Sequence, residues 1–330
     1  MGIMYRLRST TIKRTCVITI TKMSPTIEVV TERATLGEGP HWDVSSQCLY
    51  YVDIFGQTIN KYVPSTKTHT KARIEGGPVT FVIPVEGQQN SFLIGLGRKI
   101  AEVIWDGLSE TISDIEILVE VEDEIGLRNN RLNDGKADPS GRLWAGTMGP
   151  EPEIGKLEHE KGTLYTLIGR HSVKEHLKKV SISNGLAWNV KLKKMYYIDS
   201  PLKTVDQYDY NLSKGEISNK KVVFDLEKHN IPGVPDGMTI DTEGNLWVAV
   251  FNGSRILKIN PNTSELLTTI NFPAKQITAA AFGGPNLEDL YVTSAQLVVD
   301  GQKQPEPAGA VFKVTGTGSK GLLCTNVKLP

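Results

Sequence analysis

The sequence predicts an all-β fold, a six-bladed β-propeller of four-stranded blades around a central channel. Three observations predict it. From residue 26 onward the chain reads as short strands rich in Val, Ile, Tyr and Trp, broken by Gly, Asn, Asp and Pro turns. Helical periodicity is confined to a turn or two at residues 173–179. An apolar-aromatic pair recurs at Leu49-Tyr50, Leu143-Trp144, Met195-Tyr196, Leu246-Trp247 and Leu290-Tyr291, in steps of 94, 52, 51 and 44. The first step holds two repeats, with Ser91-Phe92 as the intervening member, so six repeats of about 48 residues fill 26–330. A four-stranded unit of this period cannot bury both faces alone. Stacking such units around an axis buries them and protects their edges.

Taken in order, residues 1–23 precede the repeats. Residues 1–25 carry Arg6, Arg8, Lys13, Arg14 and Lys22 and no acid. This stretch reads as a basic extension, either disordered or an organelle-targeting segment over 1–22, or an upstream addition before a start at Met23. Residues 24–330 read as one propeller. The early strand Thr26-Ile-Glu-Val-Val is expected to share a blade with the late strand Gly309-Ala-Val-Phe-Lys-Val and so close the ring. Each following repeat supplies one blade.

Composition narrows the function classes. The chain has 37 basic and 37 acidic residues, but five of the basic ones lie in 1–25, so the propeller itself is five charges acidic. That argues against nucleic-acid and anionic-membrane partners. No run approaches the 18 apolar residues of a spanning helix. Cys16, Cys48 and Cys324 are too scattered for a disulfide framework or zinc ribbon, and a reduced, cytoplasmic setting fits them. The six His residues show no zinc-site spacing, and Gly-x-Ser-x-Gly, Walker and EF-hand motifs are absent.

The repeat also serves as a ruler. Glu38 lies 12 residues before Tyr50, Asn133 lies 11 before Trp144, Asn184 lies 12 before Tyr196 and Asp236 lies 11 before Trp247. The same phase falls near Thr80 in the second repeat and near Ala280 in the sixth. Residues at equal phase on the innermost strands face one another across the channel. Asn-Gly and Asp-Gly are ordinary turn dipeptides, which explains each of these singly. Four at one phase, Glu38 among them, form instead a ring of oxygen donors suited to Ca²⁺, Mg²⁺ or Mn²⁺. Without a cation the two carboxylates repel each other and a pKa rises.

At these residues a family resemblance emerges. Leu36-Gly-Glu-Gly-Pro-His-Trp42, Arg131-Leu-Asn-Asp-Gly-Lys-Ala-Asp-Pro139, Ser183-Asn-Gly-Leu-Ala-Trp188 and Pro235-Asp-Gly-Met238 resemble signatures of the regucalcin (senescence marker protein)/gluconolactonase family. The likeness runs from about residue 26 to the end. Leu192-Lys-Lys-Met-Tyr-Tyr-Ile-Asp-Ser200 and Ala281-Phe-Gly-Gly-Pro-Asn286 are most similar to its insect branch, which includes luciferin-regenerating enzyme.

The resemblance implies a six-bladed propeller with one divalent cation (Ca²⁺, Mg²⁺, Mn²⁺ or Zn²⁺) in the channel, held by Glu38, Asn184 and Asp236. It implies substrate contacts from Arg131 and Asn133, and from Glu151 where some members have a further acid. The surrounding Gly149-Pro-Glu-Pro departs from the family pattern. The implied chemistry is hydrolysis of a lactone or related ester of a small molecule, with Asp236 as general base and Arg131 binding substrate oxygens. For Arg131 a structural ion pair with Glu122 or Glu124 is the alternative. For the whole protein the alternatives are conversion of oxyluciferin to a cyano-benzothiazole, which D-cysteine returns to luciferin; a non-enzymatic Ca²⁺-binding regulator; and a scaffold for protein partners.

Overall fold

The computed structural model describes residues 24–153, 155–299 and 301–329. The basic extension 1–23 lies outside the described residues. Six four-stranded antiparallel sheets are present, as the repeat predicts. Their inner strands are Gly37–Asp43, Val79–Pro84, Arg131–Ala137, Ser183–Asn189, Val234–Ile240 and Gln276–Gly283, here blades 1 to 6. The apolar-aromatic pairs all fall on the second strands, where the sheet is buried on both faces.

In blades 1 to 5 the strands follow chain order from the axis outward. Blade 6 is completed by the N-terminal strand Thr26–Val29, which pairs with Phe312–Thr315 in the register Ile27 to Val314 and Val29 to Phe312. The expected closure is therefore present. One expectation fails: 173–179 is not helical but lies within the outermost strand of blade 3, Ser172–Val180. An outer strand faces water on most sides, so its Lys, Glu and His residues lose the alternation that marks a strand. Among the described residues the one helical element is a short 3₁₀ turn, Ser200–Leu202. None is long and apolar enough to cross a membrane.

The repeat aromatics join neighbouring blades. Tyr50 packs on Phe92 at 4.9 Å, Trp144 on Trp188 at 6.3 Å and Trp247 edge-on against Phe282 at 5.4 Å, while Trp42 stacks on Tyr291 across the closing seam at 5.2 Å. Aromatic pairs at such offsets add about 0.5–1.5 kcal/mol each beyond area burial. Buried aspartates fix the turns into the second strands. Asp138 accepts from the Trp144 indole at 3.1 Å and from the Tyr210 hydroxyl of blade 4 at 2.6 Å. Asp241 accepts from the Trp247 indole at 3.1 Å.

The C-terminal segment Gly321–Lys328 crosses the end of the channel where the inner strands finish. Gly321 pairs with Asp241, Asn326 Oδ1 lies 3.0 Å from His41 Nε2, and Val327 pairs with Val85. The opposite end, where the inner strands begin, is ringed by the longer loops.

Deleting residues 24–34 uncovers the buried Phe312 and Val314. At about 1.5–3 kcal/mol for each exposed apolar side chain, the expected loss is at least about 3 kcal/mol in urea unfolding. An unchanged midpoint and slope would count against closure by this strand.

Candidate metal centre

Each inner strand slips register against its neighbour close to its own start. The slips fall between Glu38 and His41, Val79 and Val82, Leu132 and Gly135, Asn184 and Leu186, Pro235 and Met238, and Ile277 and Ala280. A slip breaks the two-residue alternation and turns a side chain toward the axis. The residues at the slips are Glu38, Thr80, Asn133, Asn184, Asp236 and Thr278. The phase argument thus selects the right level of the channel, with one correction. The sixth position is Thr278, two residues before Ala280, because the turn between the first two strands of blade 6 is longer: Phe282 pairs with Leu290, whereas Ile240 pairs with Leu246 in blade 5.

Two glycines make the level possible. Gly39 adopts φ +56°, a left-handed conformation that a side chain disfavours. A Cβ on Gly237 would stand 2.4 Å from the Ala279 Cβ, so glycine lets blades 5 and 6 approach at the axis.

Glu38, Asn184 and Asp236 are all buried. Burial first, and then the nearby Asp134 carboxylate, pushes the Glu38 carboxyl up to about 8. Asp236 is raised well above the carboxylate range by burial, then by Glu38 and Asp134. The two carboxylates therefore lie near enough to oppose each other's ionisation. Neither makes a salt bridge to Lys or Arg among the described residues; the Arg131 charge relieves them only in part. Arg131 itself is pulled down to about 10 by its depth in the channel, against the opposing charges of Glu151, Glu38 and Asp236.

The amides are already oriented. Asn184 Nδ2 donates to Ser200 Oγ at 2.8 Å, which leaves Oδ1 toward the channel. Asn133 Nδ2 donates to Ser183 O at 2.8 Å and to Asn184 Oδ1 at 3.2 Å, while Asn133 Oδ1 accepts from Arg131 Nη1 at 2.6 Å. The structure thus brings together Arg131, Asn133, Asn184, Glu38 and Asp236. Glu151 stands close enough to act on Arg131, and its Oε1 accepts from the Gly155 amide at 2.7 Å in its own loop. The alternative ion pair for Arg131 is not formed: Glu122 is engaged by Thr147, Asn130 and Tyr165.

Three groups escaped the sequence reading. Asp134 is a third channel carboxylate, raised by burial and partly relieved by Lys136. The Lys136 ammonium donates to Leu186 O at 3.1 Å and Met238 O at 2.8 Å, bracing blades 3, 4 and 5 below the ring. Phe55 is 48% exposed at the loop end, with the Arg131 guanidinium 5.9 Å from its ring centre. Asp134 directly follows Asn133 and Lys136 follows Gly135, so both were masked by the Asn-Asp-Gly turn signal. Phe55 carries no sequence signal.

The donor set fits a hard divalent cation. It consists of two buried carboxylates and an amide oxygen, and the Thr80 hydroxyl at the same level is buried without a hydrogen-bond partner. Among the described residues no cluster of three or more His, Cys, Asp or Glu side chains has ligating geometry, so the amide is needed to complete three donors.

In the metal-free protein both acids bind protons more tightly when folded than unfolded. Folding therefore loses stability as pH rises from the ordinary carboxyl value of 4.5 toward about 8. Glu38→Gln is expected to raise the metal-free stability at pH 8 by at least about 1 kcal/mol, and to change it little at pH 4. Equal effects at both pH values would show that the carboxylates are not in conflict.

Comparison with known proteins bears on this site. The sequence profile of the SMP-30/Gluconolactonase/LRE-like region matches residues 36–296. The chain is 41% identical over 297 residues to regucalcin of Danio rerio, covering 89% of this chain and 95% of that protein. Regucalcin of Xenopus laevis is 38% identical over 299 residues, covering 90% and 96%. A solved structure of luciferin-regenerating enzyme superposes with a TM-score of 0.88 at 48% identity, covering 93% of this chain and 100% of that one. With its six-bladed fold and its match over most of its length, the chain belongs to the SMP-30/gluconolactonase/LRE-like family.

Proposed function

We propose that the protein is a divalent-cation-dependent hydrolase of small lactones or related esters. The observation that carries this reading is the convergence of Glu38, Asp236 and Asn184 Oδ1 with Arg131 at one level of a channel closed at its far end. Glu38, Asn184 and Asp236 would hold the cation, and the free thiols of Cys48 and Cys324 suit a reducing, cytoplasmic setting. When bound, such a cation polarises a carbonyl and makes water a better nucleophile near neutral pH.

The remaining work falls to the chain's own groups. Asp236 accepts the proton released when water attacks the substrate carbonyl carbon. Arg131 donates to substrate oxygens, its guanidinium held by Asn133 Oδ1 and Leu132 O. Asn133 couples the arginine to Asn184, so substrate and cation sites share one hydrogen-bonded frame. Glu151, facing Arg131, takes hydroxyl groups of the substrate. The segment 321–328 closes the far end and limits access to the mouth.

A second reading, action on an aromatic carbonyl compound such as oxyluciferin, is favoured by two observations. One is the 48% identity to luciferin-regenerating enzyme. The other is the exposed Phe55 ring beside Arg131, an apolar face that a flat substrate could stack on.

Two tests follow. Asp236→Ala is expected to lower lactone kcat/KM about 10³-fold with unchanged circular dichroism, the size typical of losing a general base; full activity in that variant would sink the site. A panel with and without Ca²⁺, Mg²⁺, Mn²⁺ and Zn²⁺ should show turnover of glucono-δ-lactone or oxyluciferin only with a cation. Tight Ca²⁺ binding with turnover of neither would favour a non-enzymatic regulator.

A further inference from the structure

Outside the channel ring lies a buried acid that the proposed chemistry does not use. Glu122 is 7% exposed and sits at the root of the mouth loop 121–130. It pairs with no lysine or arginine among the described residues. Instead its Oε1 accepts from the Thr147 hydroxyl at 2.6 Å and the Tyr165 hydroxyl at 3.3 Å, and its Oε2 from Asn130 Nδ2 at 2.8 Å. Its backbone stands at φ +58°, a conformation a glutamate adopts only where its surroundings impose it. Its carbonyl accepts from Arg98 Nη1 at 2.6 Å.

The partners explain why the acid stands here. Asn130 directly precedes Arg131, and its Nδ2 also donates to Lys161 O at 2.9 Å. Lys161 ends the loop that carries Glu151. Thr147 accepts from the Thr163 amide at 2.8 Å. One carboxylate thus fastens the chain entering the inner strand of blade 3 to its second and third strands and to the end of the Glu151 loop.

Blades 1 and 4 solve the same problem differently. There an aspartate three residues past the anchor aromatic takes the incoming backbone: Asp53 accepts from the Thr35 and Leu36 amides at 2.8 and 3.0 Å, and Asp199 from those of Ser181 and Ile182 at 3.1 and 3.0 Å. Blade 3 has Thr147 at that position, which holds no charge, and the acid comes from the incoming loop instead.

We propose that Glu122 is a positioning residue for substrate binding: through Asn130 and Thr147 it clamps the two mouth loops and thereby sets Arg131 opposite Glu151. It touches neither the ring carboxylates nor the substrate, and acts only through the arginine. The substrate readout rests on the lactonase reading above, whereas the clamp itself does not.

The test uses the full-length protein and three variants, Glu122→Ala, Asn130→Ala and the conservative Glu122→Gln. Glu122→Ala and Asn130→Ala are each expected to raise KM for glucono-δ-lactone at least tenfold, with kcat and Mn²⁺ affinity within threefold of wild type. The double alanine variant should be no worse than the weaker single within threefold, because both cut one linkage. Glu122→Gln keeps the shape and one acceptor oxygen. With that oxygen on Asn130 Nδ2 and its amide donating to the Thr147 and Tyr165 hydroxyls, which can accept as well as donate, the link to Asn130 persists and the variant should stay within threefold of wild type. Amide hydrogen exchange at 123–131 and 155–161 should rise in both alanine variants.

An unchanged KM in a folded Glu122→Ala, a parallel fall of kcat and Mn²⁺ affinity, or unchanged exchange in both segments would each overturn the proposal. If Glu122→Ala does not fold, Asn130→Ala decides, since it leaves the carboxylate on Thr147 and Tyr165. A wild type inactive on lactones refutes the lactonase reading alone, and the exchange arm still decides the clamp.

Discussion

A ring of blades buries its faces only if the ring closes, and here closure rests on four residues. Thr26–Val29 supplies the outer strand of a blade whose other three strands come from the far end of the chain. Trp42 stacked on Tyr291 seals the same seam near the axis. Every other blade is sequence-local, and the C-terminal segment adds a second tie by joining Asn326 to His41 and Val327 to Val85. Six inner strands held in a closed ring must crowd at the axis, and the glycines and register slips at their starts accommodate that crowding.

The slips have a chemical consequence. They gather side chains from six distant segments at one level, where a carboxylate has little access to water. Burial raises both Glu38 and Asp236 there, and the neighbouring carboxylates, Asp134 on Glu38 and Glu38 with Asp134 on Asp236, add to the conflict. A fold does not retain two such groups for stability, since an isosteric amide would relieve the strain. Their presence with Asn184, whose oxygen is oriented by Ser200, is the physical case for a cation.

Much of this was legible in the sequence because the propeller is repetitive. The anchor pairs set the period, and the period places Glu38, Asn133, Asn184 and Asp236 on one level. Legibility ended where local geometry departs from the period. The longer first turn of blade 6, between Phe282 and Leu290, displaces the sixth position to Thr278. The polar outer strand 172–180 carries no alternation and imitates a helix. Glu122 was open to being paired with Arg131, because a buried acid held by two hydroxyls and an amide leaves no spacing pattern. The closing segment 321–328 joins blades through backbone contacts, which side-chain chemistry does not announce.

The central claim is that three named oxygens from blades 1, 4 and 5 hold one divalent cation. Anomalous scattering from crystals of the protein grown with Mn²⁺ tests it most directly. A single strong peak contacted by the carboxylates of Glu38 and Asp236 and by Asn184 Oδ1 is the predicted result. A channel without a peak at saturating Mn²⁺, or an ion bound by other side chains while these three keep their present partners, would contradict it.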